Sequence, residues 1–190
     1  MRGAFFVTRR FSITPDQLKS LVRTIPDFPV EGIQFRDITT LIGHGKGFAA
    51  TVDWLAEKVR HSGAEAIAGM EARGFIFGAS VAAKLGLPFL PIRKPGKLPC
   101  ETIGVDYALE YGSDRLEMDP ASISSGQKVA IVDDLLATGG TACATTQLLR
   151  QAGAQVADAF FVVDLPALGG TERLREAGVS VAALMQFEGD

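Results

Sequence analysis

Few side chains in this sequence can bind a soft metal or form a cross-link. Two cysteines (Cys100 and Cys143) and two histidines in 190 residues leave no His/Cys cluster of the kind that holds zinc. They suit a reducing compartment, taken here as the cytoplasm, rather than a disulfide scaffold. Charge of one sign is also scarce. With 19 basic and 22 acidic residues the formal net charge is −3, which argues against a nucleic-acid binder but leaves room for a local basic pocket. Long apolar runs are missing too. Ala159–Val163 is bracketed by Asp158 and Asp164 and is far too short to cross a bilayer. No repeat of fixed period and no low-complexity segment occurs.

The commoner glycine-rich nucleotide sites are absent as well. "GHGKGF" (43–48) has glycine after Gly45-Lys46, where a phosphate-binding P-loop needs Ser or Thr, and no GxGxxG follows a strand-like run.

What is present is 47% hydrophobic residues, enough for one domain that buries roughly 70% of its unfolded surface. Residues 1–12, with Arg2, Arg9 and Arg10 and no acid, lack a small-residue cleavage pattern and are expected to be an N-terminal arm. Thr14 and Gln17 form a capping box with Pro15 at the first helical position. Leu18, Leu21, Val22 and Ile25 then keep helical spacing until Pro26 and Pro29. A second helix is expected over about 47–62.

From Gly63 onward, short apolar runs alternate with helical ones: 66–70, 87–92, 129–132, 156–163 and 179–185 as strands, with helices between. Strands apolar on consecutive residues are buried on both faces. Their alternation with helices predicts an open, mostly parallel α/β sheet flanked by helices. Residues 93–125 break this pattern with Pro, Gly, charge and "DYALEY", and are expected to form a small flap or hairpin rather than a bare linker.

In such sheets ligands bind beyond the carboxyl ends of the strands. Asp133 and Asp134 follow "VAIV" and should stand on that rim. Ala137, Thr138, Gly139, Gly140 and Thr141 lead into a helix start, where free N–H groups and the dipole favour an anion. Acids beside a donor-rich turn suit a sugar phosphate. A strand-terminal acid pair next to an ordinary glycine turn is the plainer alternative.

"VAIVDDLLATGGT" resembles the phosphoribosyl-pyrophosphate (PRPP) signature of the type I phosphoribosyltransferases. Four further stretches, "DFPVEGIQFRDIT" (27–39), "GMEARGFIFG" (69–78), "PIRKPGKLP" (91–99) and "YALEYG" (107–112), resemble the members of that family that act on adenine, in the family's order. The resemblance implies transfer of a phosphoribosyl group from PRPP to adenine, giving AMP and pyrophosphate. Mg²⁺ would be held through the substrate's pyrophosphate and ribose, with no dedicated protein ligand. It implies a homodimer, with no nucleic-acid or membrane partner.

Residue by residue, the resemblance gives Asp133 and Asp134 to the ribose hydroxyls and residues 137–141 to the 5′-phosphate. Glu71, Ala72 and Arg73 fall to the pyrophosphate, with Glu71–Ala72 as a non-proline cis peptide, and Arg93, Lys94 and Lys97 add cations. An arginine fork suits pyrophosphate chemically. A surface ion pair between Glu71 and Arg73, and a solvated run of flap cations, are the alternatives. Gln34, Phe35 and Arg36 fall to adenine, with Phe35 stacking on the base and the Arg36 backbone reaching its edge, unless Phe35 is simply core. Family members that use 6-oxopurines can carry an aspartate in the phosphate loop. Ala137 stands there and cannot titrate, so the resemblance moves the base proton to Glu110, with Tyr111 helping to close the site. Two departures are visible: Thr40 stands where proline is commoner, and the arm has no counterpart. A phosphoribosyltransferase for another base, or a non-catalytic PRPP-binding regulator on the same fold, remains open at this point.

Overall fold

A computed structural model describes residues 13–109 and 112–189. The arm, Glu110 and Tyr111 lie outside the described residues.

Helix α1 (Pro15–Ser20) begins at the expected capping box. The Thr14 hydroxyl accepts from the Gln17 N–H at 3.3 Å, and Gln17 Oε1 accepts from the Thr14 N–H at 2.9 Å. The helix ends earlier than its periodicity suggests. Ile25 falls in strand β1 (Arg23–Pro26), which pairs antiparallel with β2 (Gln34–Asp37). The Arg23 guanidinium bonds buried Asp37 across this ribbon, Nε to Oδ2 at 3.1 Å, so a long-range pairing overrides the local helical spacing. Helices α2 (Thr39–Gly43) and α3 (Gly45–Ser62) follow. The second starts two residues before the expected Gly47, because His44 Nδ1 accepts from the Gly47 N–H at 3.0 Å and caps the helix there.

The alternating segment forms β3 (Ala66–Met70), α4 (Arg73–Leu85), β4 (Phe89–Ile92), β7 (Lys128–Leu136), α5 (Gly140–Gln151), β8 (Gln155–Asp164), α6 (Gly170–Glu176) and β9 (Ser180–Gln186). Between β4 and β7 lies a hairpin of β5 (Ile103–Leu109) and β6 (Gly112–Met118). The five-stranded sheet is parallel throughout, in the order β4-β3-β7-β8-β9. One core layer, with Leu148, Leu149 and Leu174, packs α5 and α6 on one face. The other, with Leu55, Val59, Phe77 and Val81, packs α3 and α4 on the opposite face. All five β3 residues are buried, as expected of a strand covered on both sides.

The strand order reverses direction between β3 and β7, and such a switch point opens a crevice at the carboxyl ends. Register fixes where it opens. β3 pairs with β7 only from Ala66↔Val129 to Ala68↔Ile131, whereas β7 stays paired with β8 as far as Leu136↔Asp164. Asp133 and Asp134 are therefore held in a paired strand on one side while the other side is open. This corrects the expected strand end at Val132 by four residues. The hairpin occupies the middle of the expected flap, and its root is not free: Val105, Leu116 and Met118 are buried in the α5-side core. Arg93 and Glu117 exchange backbone hydrogen bonds at 2.9 and 2.8 Å. Among the described residues, no helix is long and apolar enough to cross a membrane.

Candidate active site

The crevice is a cavity of about 210 Å³ lined by residues 70–73, 133–142 and Phe161. Its acidic wall is β7. Asp133 Oδ1 accepts from the Asp134 N–H at 2.9 Å and lies against the first turn of α4. Gly74 makes room for it, since a Cβ there would sit 2.4 Å from that oxygen. Asp134 is only 3% exposed. Its Oδ2 lies 2.8 Å from Arg73 Nε, although no N–H is aligned on it for a hydrogen bond. Burial, and then the adjacent Asp134 charge, hold the Asp133 carboxyl well above the usual carboxylate range. Burial also raises Asp134, with the Arg73 charge opposing it. Two raised acids side by side form a site completed by donors or cations from outside.

The far end of the cavity is the turn into α5. Gly139 caps the helix in the left-handed region at φ 77°, a conformation that favours glycine. The unpaired N–H groups beyond it, at the positive end of a 12-residue helix, suit a phosphate. The backing of this turn was not foreseen. Gly170, at the start of α6, packs directly behind it: a Cβ there would be 2.2 Å from the Ala137 carbonyl and 2.9 Å from the Gly139 nitrogen. The available signal was a second Gly-Gly-Thr, 169–171, following the next strand.

Opposite the acids, Glu71–Ala72 is a cis peptide, the bond the resemblance singled out. Arg73 does not pair with Glu71. The Glu71 carboxylate accepts from Arg93 Nε at 2.8 Å and from the Lys94 backbone N–H at 3.0 Å, bonds that hold it below its ordinary pKa. Lys94 pairs with Asp114 and donates to the Tyr107 hydroxyl, while Lys97 is exposed. Two of the three flap cations thus already have carboxylate partners.

Phe35 belongs to neither core layer. Its ring meets Phe28 edge-on, centroids 5.1 Å apart, and the Arg73 guanidinium carbon lies 5.9 Å from its centroid. Phe28 is 50% exposed and Val30 is 61% exposed, so apolar surface is available beside Phe35 for a flat ligand. Gln34 is half-buried on the same strand. The Arg36 side chain is occupied elsewhere, with Nη1 on Thr24 Oγ1 at 2.7 Å and Nη2 on the Glu188 carbonyl at 3.1 Å. Its backbone lies in β2, opposite Thr24.

Residues 40–175 match the phosphoribosyl transferase domain. The chain is also 68% identical to the adenine phosphoribosyltransferase of Erythrobacter litoralis over 177 residues, 93% of this chain and 99% of that one. The chain belongs to the adenine phosphoribosyltransferase family. Solved structures agree. The adenine phosphoribosyltransferase of Thermoanaerobacter pseudethanolicus superposes with a TM-score of 0.87 at 44% identity, covering 92% of this chain and 100% of its own. That of Saccharomyces cerevisiae, complexed with D-2,5-dideoxy-2,5-imino-altritol 1,6-bisphosphate and adenine, gives 0.85 at 36% identity, covering 90% and 98%. The open parallel sheet expected from strand alternation is observed, and it is the type I phosphoribosyltransferase fold that the resemblance implied.

Proposed function

We propose that this chain transfers the 5-phosphoribosyl group of PRPP to adenine, forming AMP and pyrophosphate, with the whole chain acting as one catalytic domain. The observation that carries the reading is the place of Arg73, which lies beside both Asp134 and the Phe35 ring. A sugar held by the acids and a base stacked on Phe35 would then meet beneath one guanidinium.

The reaction breaks the bond from the anomeric carbon to pyrophosphate and forms one to adenine N9. Positive charge develops on the ribose as in glycoside cleavage, so stabilisation is mainly electrostatic. Asp133 and Asp134 hold the ribose hydroxyls and oppose that charge from below. The turn at 137–141 holds the 5′-phosphate. Arg73 attracts the departing pyrophosphate, with Arg93, Lys94 and Lys97 adding positive charge from the segment after β4. Glu110 accepts the proton that leaves adenine N7 as N9 bonds, and Tyr111 helps the hairpin exclude water, which would hydrolyse PRPP.

The donor set fits Mg²⁺ arriving with PRPP. Asp134 Oδ2 is buried without an aligned donor, and Mg²⁺ commonly takes one or two carboxylates together with substrate phosphate oxygens. It would be held through the substrate's pyrophosphate and ribose, whose hydroxyls Asp133 and Asp134 take, and when bound it would neutralise charge on the leaving pyrophosphate. A homodimer is included by analogy with the family. A cytoplasmic location is supported by the unpaired cysteines Cys100 and Cys143.

The test is a base panel: PRPP and Mg²⁺ with adenine, hypoxanthine or guanine at equal concentration. AMP from adenine, with little product from the other two, is expected. Product from hypoxanthine or guanine at the adenine rate would remove the base assignment.

A further inference from the structure

The register of the hairpin places Tyr107 directly across from Asp114. Their side chains meet at a point that also receives Lys94, from the segment after β4, and Thr141, from the first turn of α5. The Tyr107 hydroxyl donates to Asp114 Oδ2 at 3.1 Å and accepts from Lys94 Nζ at 3.2 Å and from Thr141 Oγ1 at 3.4 Å. The Tyr107 ring is packed against the α5-side core, so the hydroxyl is carried on a fixed body rather than a loose loop.

A tyrosine hydroxyl has one proton and two acceptor positions, and all three are in use. Asp114 takes the proton. Lys94 holds that carboxyl below its ordinary pKa, so at neutral pH it is ionised and only accepts. Both lone pairs are then filled, by Lys94 and by Thr141. The Thr141 proton is consequently turned toward Tyr107 and away from the cavity whose lining includes Thr141.

We infer that Tyr107 is a positioning residue for the 5′-phosphate, acting through Thr141. This rests on the reading of 137–141 as the phosphate turn. A phosphate dianion competes for the Thr141 proton and wins it, because a charge-assisted bond outweighs a long neutral one. The Tyr107 hydroxyl, whose bond to Asp114 is weakened by the Lys94 charge already paired with the same carboxylate oxygen, then rotates to the vacated Thr141 oxygen, and Asp114 keeps Lys94. No proton leaves its own oxygen; two hydroxyls turn. The rotation supports Thr141 as a donor and links occupancy of the phosphate turn to the β5–β6 hairpin. It differs from the roles assigned to Lys94 and Tyr111, which concern the pyrophosphate and site closure.

The test is calorimetric binding of ribose 5-phosphate and, separately, of pyrophosphate to wild type, Tyr107→Phe, Thr141→Val and the double variant. Tyr107→Phe keeps the ring and its packing. It should weaken ribose 5-phosphate by roughly 2- to 10-fold, the worth of one hydrogen bond, while pyrophosphate affinity, carried mainly by Arg73 and the other cations, falls by less. In the Thr141→Val background the same change should have no further effect, because the partner it acts through is gone. Unchanged ribose 5-phosphate affinity in Tyr107→Phe, or an equal loss in both backgrounds, overturns the role of Tyr107. A wild-type protein that binds neither ligand overturns the phosphate reading beneath it.

Discussion

Arg73 reaches across the opening between β3 and β7 to stand 2.8 Å from Asp134, the more deeply buried of the two acids. The contact joins the segment that carries the cis Glu71–Ala72 bond to the strand that carries Asp133 and Asp134. It also sets their charge. Burial raises both carboxyls, and the guanidinium opposes that rise in both.

Removal of Arg73 should therefore push the acids further up. The acid limb of kcat/KM for PRPP should lie above the ordinary carboxylate range in the wild type and move higher still in Arg73→Met. The same variant should lose most of its pyrophosphate-dependent breakdown of AMP. A pH–rate profile in both directions checks this. An unshifted limb with an unchanged reverse rate would return Arg73 to a structural ion pair.

Phe35→Ala should weaken adenine binding by roughly 1–3 kcal/mol, the usual worth of stacking a base on an aromatic ring. Ribose 5-phosphate affinity should be unchanged, because Phe35 does not line the cavity formed by the acids and the turn into α5. Calorimetry with each ligand separately distinguishes the two. Loss confined to ribose 5-phosphate would place the base elsewhere.

Gly170→Ala should damage the phosphate turn without touching a ligand. The added methyl would collide with the Ala137 carbonyl at 2.2 Å, which is backbone and cannot rotate away. Overpacking of this kind costs about 1–3 kcal/mol. The expected result is a lower melting temperature and a raised KM for PRPP, with adenine affinity nearly kept. Wild-type values for both would show that the turn shifts freely.

Much of the site was legible because its chemistry is local in sequence. Asp133, Asp134 and 137–141 occupy one strand-turn-helix segment, and a single stretch of text carries both the acids and the anion turn. What was not legible depends on contacts between distant segments. Ile25 keeps helical spacing with Leu18 but is drawn into β1 by pairing that ends in the Arg23–Asp37 bond. Gly74 and Gly170 look like ordinary helix-start glycines, and only the approach of Asp133 and of the Ala137 carbonyl shows why no side chain fits there. The partners of Lys94 depend on hairpin register, which spacing alone does not give. Strand ends failed for the same reason: β7 continues past Val132 because β8 continues beside it.

Asp37 gives a stability test away from the chemistry. The Thr39 hydroxyl and N–H, followed by Arg23, hold its pKa down at about 2, against an ordinary 3.8. A depressed carboxyl contributes stability that is fully present above the ordinary value and is lost as pH falls through the folded one. Asp37→Asn should therefore melt below the wild type at neutral pH, with the gap closing between about pH 4 and pH 2. A pH series of melting temperatures checks this, and a gap independent of pH would assign the effect to shape rather than charge.

Glu110→Gln should lower kcat by roughly 10²–10⁴, the span of general acid–base catalysis, with PRPP affinity retained. Near-wild-type turnover would take Glu110 out of the mechanism.

The central claim is tested most directly by product stoichiometry. With PRPP and Mg²⁺ in excess, each adenine consumed by the wild-type protein should yield one AMP and one pyrophosphate, with no ribose 5-phosphate accumulating. Adenine left unconsumed, or PRPP broken down to ribose 5-phosphate without AMP, would contradict it.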